Sequence, residues 1–178
     1  RQIKQDDYDL VRRIVDAVVA CPDAKAILDA SEARERSALF TRDGVPGKAR
    51  FDVDAMTAMA LVADLKCLAD PRPHRLLTGD IGRHRAIQAS WYSTAYMLAG
   101  GDAAPDFAWI VVPTEPPFTK RVWVAQASDA LLRFGDGEIK RALAVYKDCA
   151  ARNCWDGYDQ EIRMMEPPEW WAKEADRG

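Results

Sequence analysis

Asp52, Asp64 and Lys66 are the residues in this chain whose types and spacing suit chemistry. Asp64 and Lys66 lie two positions apart, so on a strand both side chains leave the same face. The runs Lys48 to Asp54 and Ala58 to Lys66 carry strand-favouring types, and Asp54-Ala55-Met56-Thr57 between them is short enough for a hairpin connection. Such a hairpin brings Asp52 to face Asp64. Two carboxylates, a backbone carbonyl such as that of Leu65 and several waters suit a hard ion such as Mg²⁺. A cation held there lowers the pKa of a water and clamps the oxygens of an in-line displacement at phosphorus. A neighbouring lysine orients that water or offsets the developing charge. Metal-dependent phosphodiester hydrolysis is the chemistry indicated. Asp-x-Lys also arises by chance on solvated hairpins, so the rest of the chain has to decide between the two.

Three segments in fixed order do so: Lys48-Ala49-Arg50-Phe51-Asp52, Val62-Ala63-Asp64-Leu65-Lys66 and Gln88-Ala89-Ser90-Trp91-Tyr92. Together they resemble the PD-(D/E)xK nuclease superfamily, and within it the phage-type exonuclease VIII (RecE-like) and YqaJ/lambda-exonuclease branch. Further on, Cys154-Trp155-Asp156-Gly157-Tyr158 and Pro167-Pro168-Glu169-Trp170-Trp171 are similar to the ending of RecE-like proteins. Phe51 replaces the family's usual proline and Cys67 its usual threonine; neither change removes a ligand. The resemblance implies a restriction-endonuclease-like core with Asp52, Asp64 and the Leu65 carbonyl on Mg²⁺, Mn²⁺ being able to substitute. It favours Asp52 over Asp54 as the ligand. Lys66, Gln88 and Tyr92 are implied to be catalytic, and Glu35 corresponds to a possible additional acid. The implied activity is 5′ to 3′ hydrolysis of double-stranded DNA from its ends in homologous recombination. The implied partners are a single-strand annealing protein and further copies of the chain in a ring. A restriction-type or Cas4-like nuclease, or a noncatalytic interaction domain derived from a nuclease, are the competing readings.

Composition sets the bounds. The chain has 178 residues, 48% hydrophobic and 30% charged, which suits one domain spanning residues 1–178 with a single core. Arg1 in place of Met points to a fragment that begins downstream of the family's N-terminal helices. With a net charge of −3 and a pI near 5.5, any DNA contact must come from a local patch. Arg72, His74, Arg75, Arg83, His84 and Arg85 form one, interrupted by the acid Asp80, and Arg72, Arg75, Arg83 and Arg85 are the substrate-binding candidates. Cys21, Cys67, Cys149 and Cys154 show no Cys-x-x-Cys pair, which suits reduced thiols in the cytoplasm, for a bacterial or phage-encoded protein, and disfavours an iron–sulfur cluster. No membrane span or signal peptide is visible.

The elements follow from periodicity. Asp6 or Asp7 starts a helix with the stripe Leu10, Val11, Ile14, Val15, Val18 and Val19, and Pro22 opens a second, over residues 23–30. Arg34 to Arg42 reads as a strand and Asp43-Gly44 as a turn into the strand beginning near Lys48. A proline-containing loop from Ala69 to Asp80 leads to a helix over Arg83 to Leu98, ended by Gly100-Gly101, on which Gln88 and Tyr92 stack four apart. Phe107 to Pro113 is apolar enough for a central strand, Pro116-Pro117 is a turn, and Arg121 to Gln126 is its antiparallel partner. Trp109 and Trp123 read as core. Ser128 caps a helical region that Gly135 and Gly137 are expected to interrupt before it resumes from Ile139 to Asn153. A closing strand or extended tail is expected around Pro167 and Pro168. The order predicts an α/β protein with a mixed central sheet flanked by helices.

Overall fold

The computed structural model describes residues 4–118, 120–155, 157, 162 and 164–166 of the chain. Two compact units result, Arg1–Lys147 and Asp148–Gly178. The first unit is built on a sheet of five strands in the spatial order of the sequence. β1 (Ala33–Arg42) and β2 (Val45–Ala55) form its long hairpin. Arg42 pairs with Val45 across Asp43 and Gly44, whose φ values of 50° and 81° give the doubly positive turn that the Asp-Gly pair favours. β3 (Leu61–Leu68) runs antiparallel to β2 and parallel to β4 (Asp106–Pro113), and β5 (Trp123–Gln126) closes the sheet antiparallel to β4. A parallel pair needs a crossover, and the chain between β3 and β4 supplies one in α4 (Pro73–Leu76) and α5 (Gly79–Leu98).

Both faces of the sheet are covered, and β4 shows why its sequence is apolar throughout. Phe107, Trp109 and Val111 join the core beneath α5, while Ala108, Ile110 and Val112 join the core that takes Ala17 and Val18 from α1 (Gln5–Val19) and Ala24 and Ile27 from α2 (Pro22–Asp29). The mixed sheet with helices on both faces is the α/β architecture expected from the sequence.

Local details depart from the periodicity reading. The connection between β2 and β3 is a short helix, α3 (Met56–Met59), ended by Ala60 in the left-handed region at φ 50°, so β3 starts at Leu61 and not at Ala58. α5 begins at Gly79, ahead of Arg83. α6 (Asp129–Arg152) runs unbroken through Gly135 and Gly137, after Ser128 Oγ accepts the Leu131 N–H at 3.3 Å. Gly135 serves helix contact: a Cβ there would fall on the Ala86 carbonyl oxygen and lie 2.9 Å from Ser90 Cβ, both on α5. Trp109 is core as expected, and Trp123 donates its indole N–H to the Pro71 carbonyl at 2.7 Å. Cys21, Cys67 and Cys149 are free thiols. In the second unit, Arg152 pairs with Asp148 at 2.8 Å and the Cys154 N–H reaches the Cys149 carbonyl at 3.0 Å. The tail expected around Pro167 and Pro168 lies outside the described residues. Among those described, no helix is long and apolar enough to cross a membrane.

Gly135→Ala tests the helix contact. Helix propensity alone would favour alanine by about 1 kcal/mol, whereas an overpacked contact against backbone costs about 1–3 kcal/mol. A lower urea midpoint is expected for Gly135→Ala. The matched Gly137→Ala, whose Cβ meets only Arg141 Nη1 at 3.8 Å, should lose nothing. Equal midpoints for the two variants would show that α5 and α6 do not need the glycine.

Candidate active site

The ladder between β2 and β3 pairs Ala55 with Leu61, Asp54 with Val62 and Val53 with Ala63, and then stops. The next register position sets Asp52 opposite Asp64. There the Asp52 carboxylate takes the place of a backbone acceptor, receiving the Leu65 N–H at 2.9 Å. β3 stays paired with β4 on its other edge as far as Leu68, so Asp64 sits on a strand that cannot shift while the β2 side opens. The backbone of β2 is irregular here. Phe51 and Val53, which a regular strand would direct to one face, end in different cores, and Glu35 on the neighbouring strand has φ 54°. The two carboxylates therefore meet where the pleat breaks.

Asp64 is only 4% exposed. Its Oδ1 accepts a hydrogen bond from Gln88 Nε2 at 2.6 Å, and its Oδ2 lies 2.6 Å from Lys66 Nζ. The lysine contact is an ion pair whose angles fall short of a hydrogen bond, so Oδ2 is buried with charge compensation but no aligned donor. Burial raises the Asp64 pKa above its ordinary 3.8, Lys66 and Gln88 oppose that rise, and the Asp52 charge adds to it. Burial and Asp52 also push up the Cys67 thiol. A buried carboxylate facing a second carboxylate, with one oxygen lacking an aligned donor, has the chemistry of half a cation site. The pair Asp52 and Asp64 fits a hard divalent ion that keeps most of its waters. Among the described residues no group of three His, Cys, Asp or Glu side chains gathers for a metal.

The other candidates fall in distinct places. Asp54 is wholly buried, bonded by Arg36 Nη1 at 2.6 Å and by the Met56 N–H at 3.3 Å, and is a structural acid. Glu35 pairs with Arg50 at 2.8 Å on the exposed side of the hairpin and does not join Asp52 and Asp64. Gln88 reaches Asp64 as its helix face predicts. Tyr92, one turn later, packs its ring edge-on against Phe51 and Phe107 at centroid distances of 5.4 and 5.9 Å.

The basic segment is partly self-neutralised. Arg72 and Arg75 both bond Asp70, and their guanidinium groups, Arg72 first, hold its carboxyl well below the usual carboxylate range. Arg83 is exposed, 3.7 Å from Glu138. Arg85 corrects the expectation of a surface phosphate contact: it is buried, and its Nη1 donates to the carbonyls of Arg75, at 3.2 Å, and Leu76. Burial lowers its pKa while the Asp64 charge raises it, so Arg85 ties down the loop before α5 and adds positive potential at the site. Its inward role had a signal in sequence, since Arg85 and Gln88 are three apart on one helix face.

No protein-family model and no curated protein matches the chain. Among solved structures, it is similar to the crystal structure of a protein designated "putative exonuclease" from Eubacterium rectale, with a TM-score of 0.67 and 12% sequence identity. The match covers 92% of this chain and 64% of that one, so the chain spans less than two thirds of that protein's length. At this identity the likeness shows the fold.

The raised Asp64 pKa has a consequence for stability. A carboxyl with a higher pKa in the folded state contributes stability that is complete below the unfolded value and is lost as pH rises through the folded one. Charged Asp64 therefore costs stability at neutral pH. Asp64→Asn is expected to raise the urea midpoint at pH 7, with the gain shrinking as pH falls toward 3.8. A variant no more stable than the parent at pH 7 would contradict this burial argument.

Proposed function

We propose that this chain is a metal-dependent deoxyribonuclease that hydrolyses phosphodiester bonds of double-stranded DNA from its ends. The observation that carries the reading is the buried Asp64 carboxylate, held between Gln88 and Lys66 and faced by Asp52 where β2 and β3 separate. Asp52, Asp64 and the Leu65 carbonyl would hold Mg²⁺, or Mn²⁺ in its place, which supplies Lewis acidity toward the phosphate when bound. Lys66 is already positioned by Asp64, and its ammonium offsets negative charge gathering on the attacked phosphate. Gln88 has both a donor and an acceptor, so while its amide N–H₂ steadies Asp64 its carbonyl can orient the attacking water. Water oxygen bonds to phosphorus as the P–O bond to the leaving nucleotide breaks, and the water's proton is released to solvent, from which the leaving oxygen is protonated. Tyr92, one turn after Gln88 on α5, is held in the aromatic core by Phe51 and Phe107. Arg83, exposed on α5, is the remaining candidate for a backbone phosphate.

The order of the three sequence motifs and the structural likeness to a protein designated an exonuclease support this reading over a generic hydrolase. The 5′ to 3′ direction, a role in phage-type recombination, a ring of copies and an annealing partner rest on the sequence resemblance. The absence of a third acidic ligand among the described residues favours one competing reading, a noncatalytic domain derived from a nuclease.

Gel assays on linear and circular duplex, with Mg²⁺ or with EDTA, separate the readings. Mg²⁺-dependent loss of linear duplex alone is expected. Cleavage of closed circles would indicate a restriction-type or Cas4-like enzyme, and no cleavage together with no Mg²⁺ heat by calorimetry would indicate the noncatalytic domain. Asp64→Asn and Lys66→Ala should each lower turnover by about 10²-fold or more, as removal of a preorganised charged group does. Asp54→Asn should instead lower stability through loss of the Arg36 pair. Unchanged cleavage by Asp64→Asn would reject this site.

A further inference from the structure

α5 and α6 touch at Gly135, and one turn further along α6 a cavity of about 530 Å³ separates them. Gln88, Trp91 and Tyr92 line it from α5 and Ala142 and Leu143 from α6, with His84 exposed along its edge. Its walls are almost wholly apolar and aromatic. Two features distinguish it from an ordinary packing gap. Gln88 belongs both to the cavity and to the candidate active site, since it donates to Asp64 Oδ1 at 2.6 Å. Glu138, also in the lining, is flanked by the exposed Arg83 and Arg141. Two guanidinium groups share one carboxylate, so the rim keeps net positive charge.

We infer that this cavity is a base-binding subsite, which receives the unstacked base of a nucleotide next to the phosphate held at Asp52, Asp64 and Lys66. The position of that phosphate rests on the nuclease reading above; the chemistry of the cavity does not. An aromatic-lined pocket of this size accepts the π-face of any base, in the range usual for small-ligand sites. Stacking on Trp91 and Tyr92 does not depend on which base it is, as an enzyme degrading mixed sequence requires. Arg83 and Arg141 then lie where the charged backbone leaves the pocket, which an apolar peptide or a second copy of the chain would not use. The arrangement gives Trp91 a function beyond its contact with Phe40, the Arg42 guanidinium 6.0 Å from its ring centroid and its N–H bond of 3.1 Å to the Lys48 carbonyl.

Ala142 is exposed on α6, so a larger side chain there fills the cavity without disturbing buried packing. The probes are a fluorescein-labelled single-stranded oligodeoxynucleotide and the same strand with abasic positions, titrated by anisotropy in EDTA so that nothing is cleaved. The unsubstituted protein is expected to bind the intact strand about 10-fold more tightly, the scale of one stacked base. Ala142→Trp, or Ala142→Leu if the first does not fold, should remove that difference while leaving the salt dependence of binding unchanged. Equal affinity for the two strands, or a difference that survives in the filled variant, overturns the subsite. Concentration-dependent self-association that Ala142→Trp abolishes, without base discrimination, overturns it in favour of a second copy. Base discrimination in a protein whose Asp64→Asn variant cleaves normally would reject the nuclease site while the subsite stands.

Discussion

A carboxylate buried on an interior strand is the constraint on which this structure turns. Asp64 has β2 on one side and β4 on the other, an aromatic core beneath α5 and little solvent. A charge in that place is expensive unless it is hydrogen-bonded and paired. The fold meets the requirement in part, with Lys66 from the same strand and Gln88 from the crossover helix, and it brings Arg85 close enough to add potential. Each compensating group depends on a larger element. Lys66 is aligned by the pleat of β3, and Gln88 and Arg85 by the packing of α5 on the sheet.

That packing explains features which look unrelated in the chain. Gly135 lets α6 approach the backbone of α5 closely, which secures the helix carrying Gln88. Arg85 spends its donors on carbonyls at the end of α4, so the loop between β3 and α5 is fastened beside the site by the same helix face that reaches Asp64. Trp123 fastens that loop again through Pro71. The site is assembled from strands and a helix, and the loop next to it is anchored at several points, as preorganised electrostatics requires.

Much of this was legible in sequence because it rests on short-range rules. Asp43-Gly44 specifies a hairpin turn, the uninterrupted apolar run in β4 specifies a strand covered on both faces, and Asp64-x-Lys66 followed by Gln88-x-x-x-Tyr92 specifies which side chains share a face. What stayed hidden depends on long-range partners. Gly135 and Gly137 look like helix breakers until Ala86 is seen against the first of them. The basic segment looks like a DNA-binding stripe, but Asp70 engages Arg72 and Arg75 and the interior takes Arg85. Glu35 stands near Asp52 in register, yet its left-handed backbone and Arg50 direct it elsewhere.

Asp54 and Asp64 together show why the site is read as functional. Both are acids buried on adjacent strands of one sheet. Asp54 has a guanidinium and a backbone N–H directed at its oxygens, an arrangement that satisfies it within the fold. Asp64 has one aligned donor, a lysine off the hydrogen-bonding direction, and a second carboxylate set against it. Setting Asp52 opposite a buried acid raises the energy of the charged pair, even as its carboxylate accepts the Leu65 N–H where the ladder ends. It does create a place where a divalent cation would relieve both charges at once, a few ångströms from a lysine and an amide suited to phosphate and water. Perturbed acids with a specific charged neighbour concentrate at functional sites for this reason, and Asp64, raised by burial and by the Asp52 charge, has that signature.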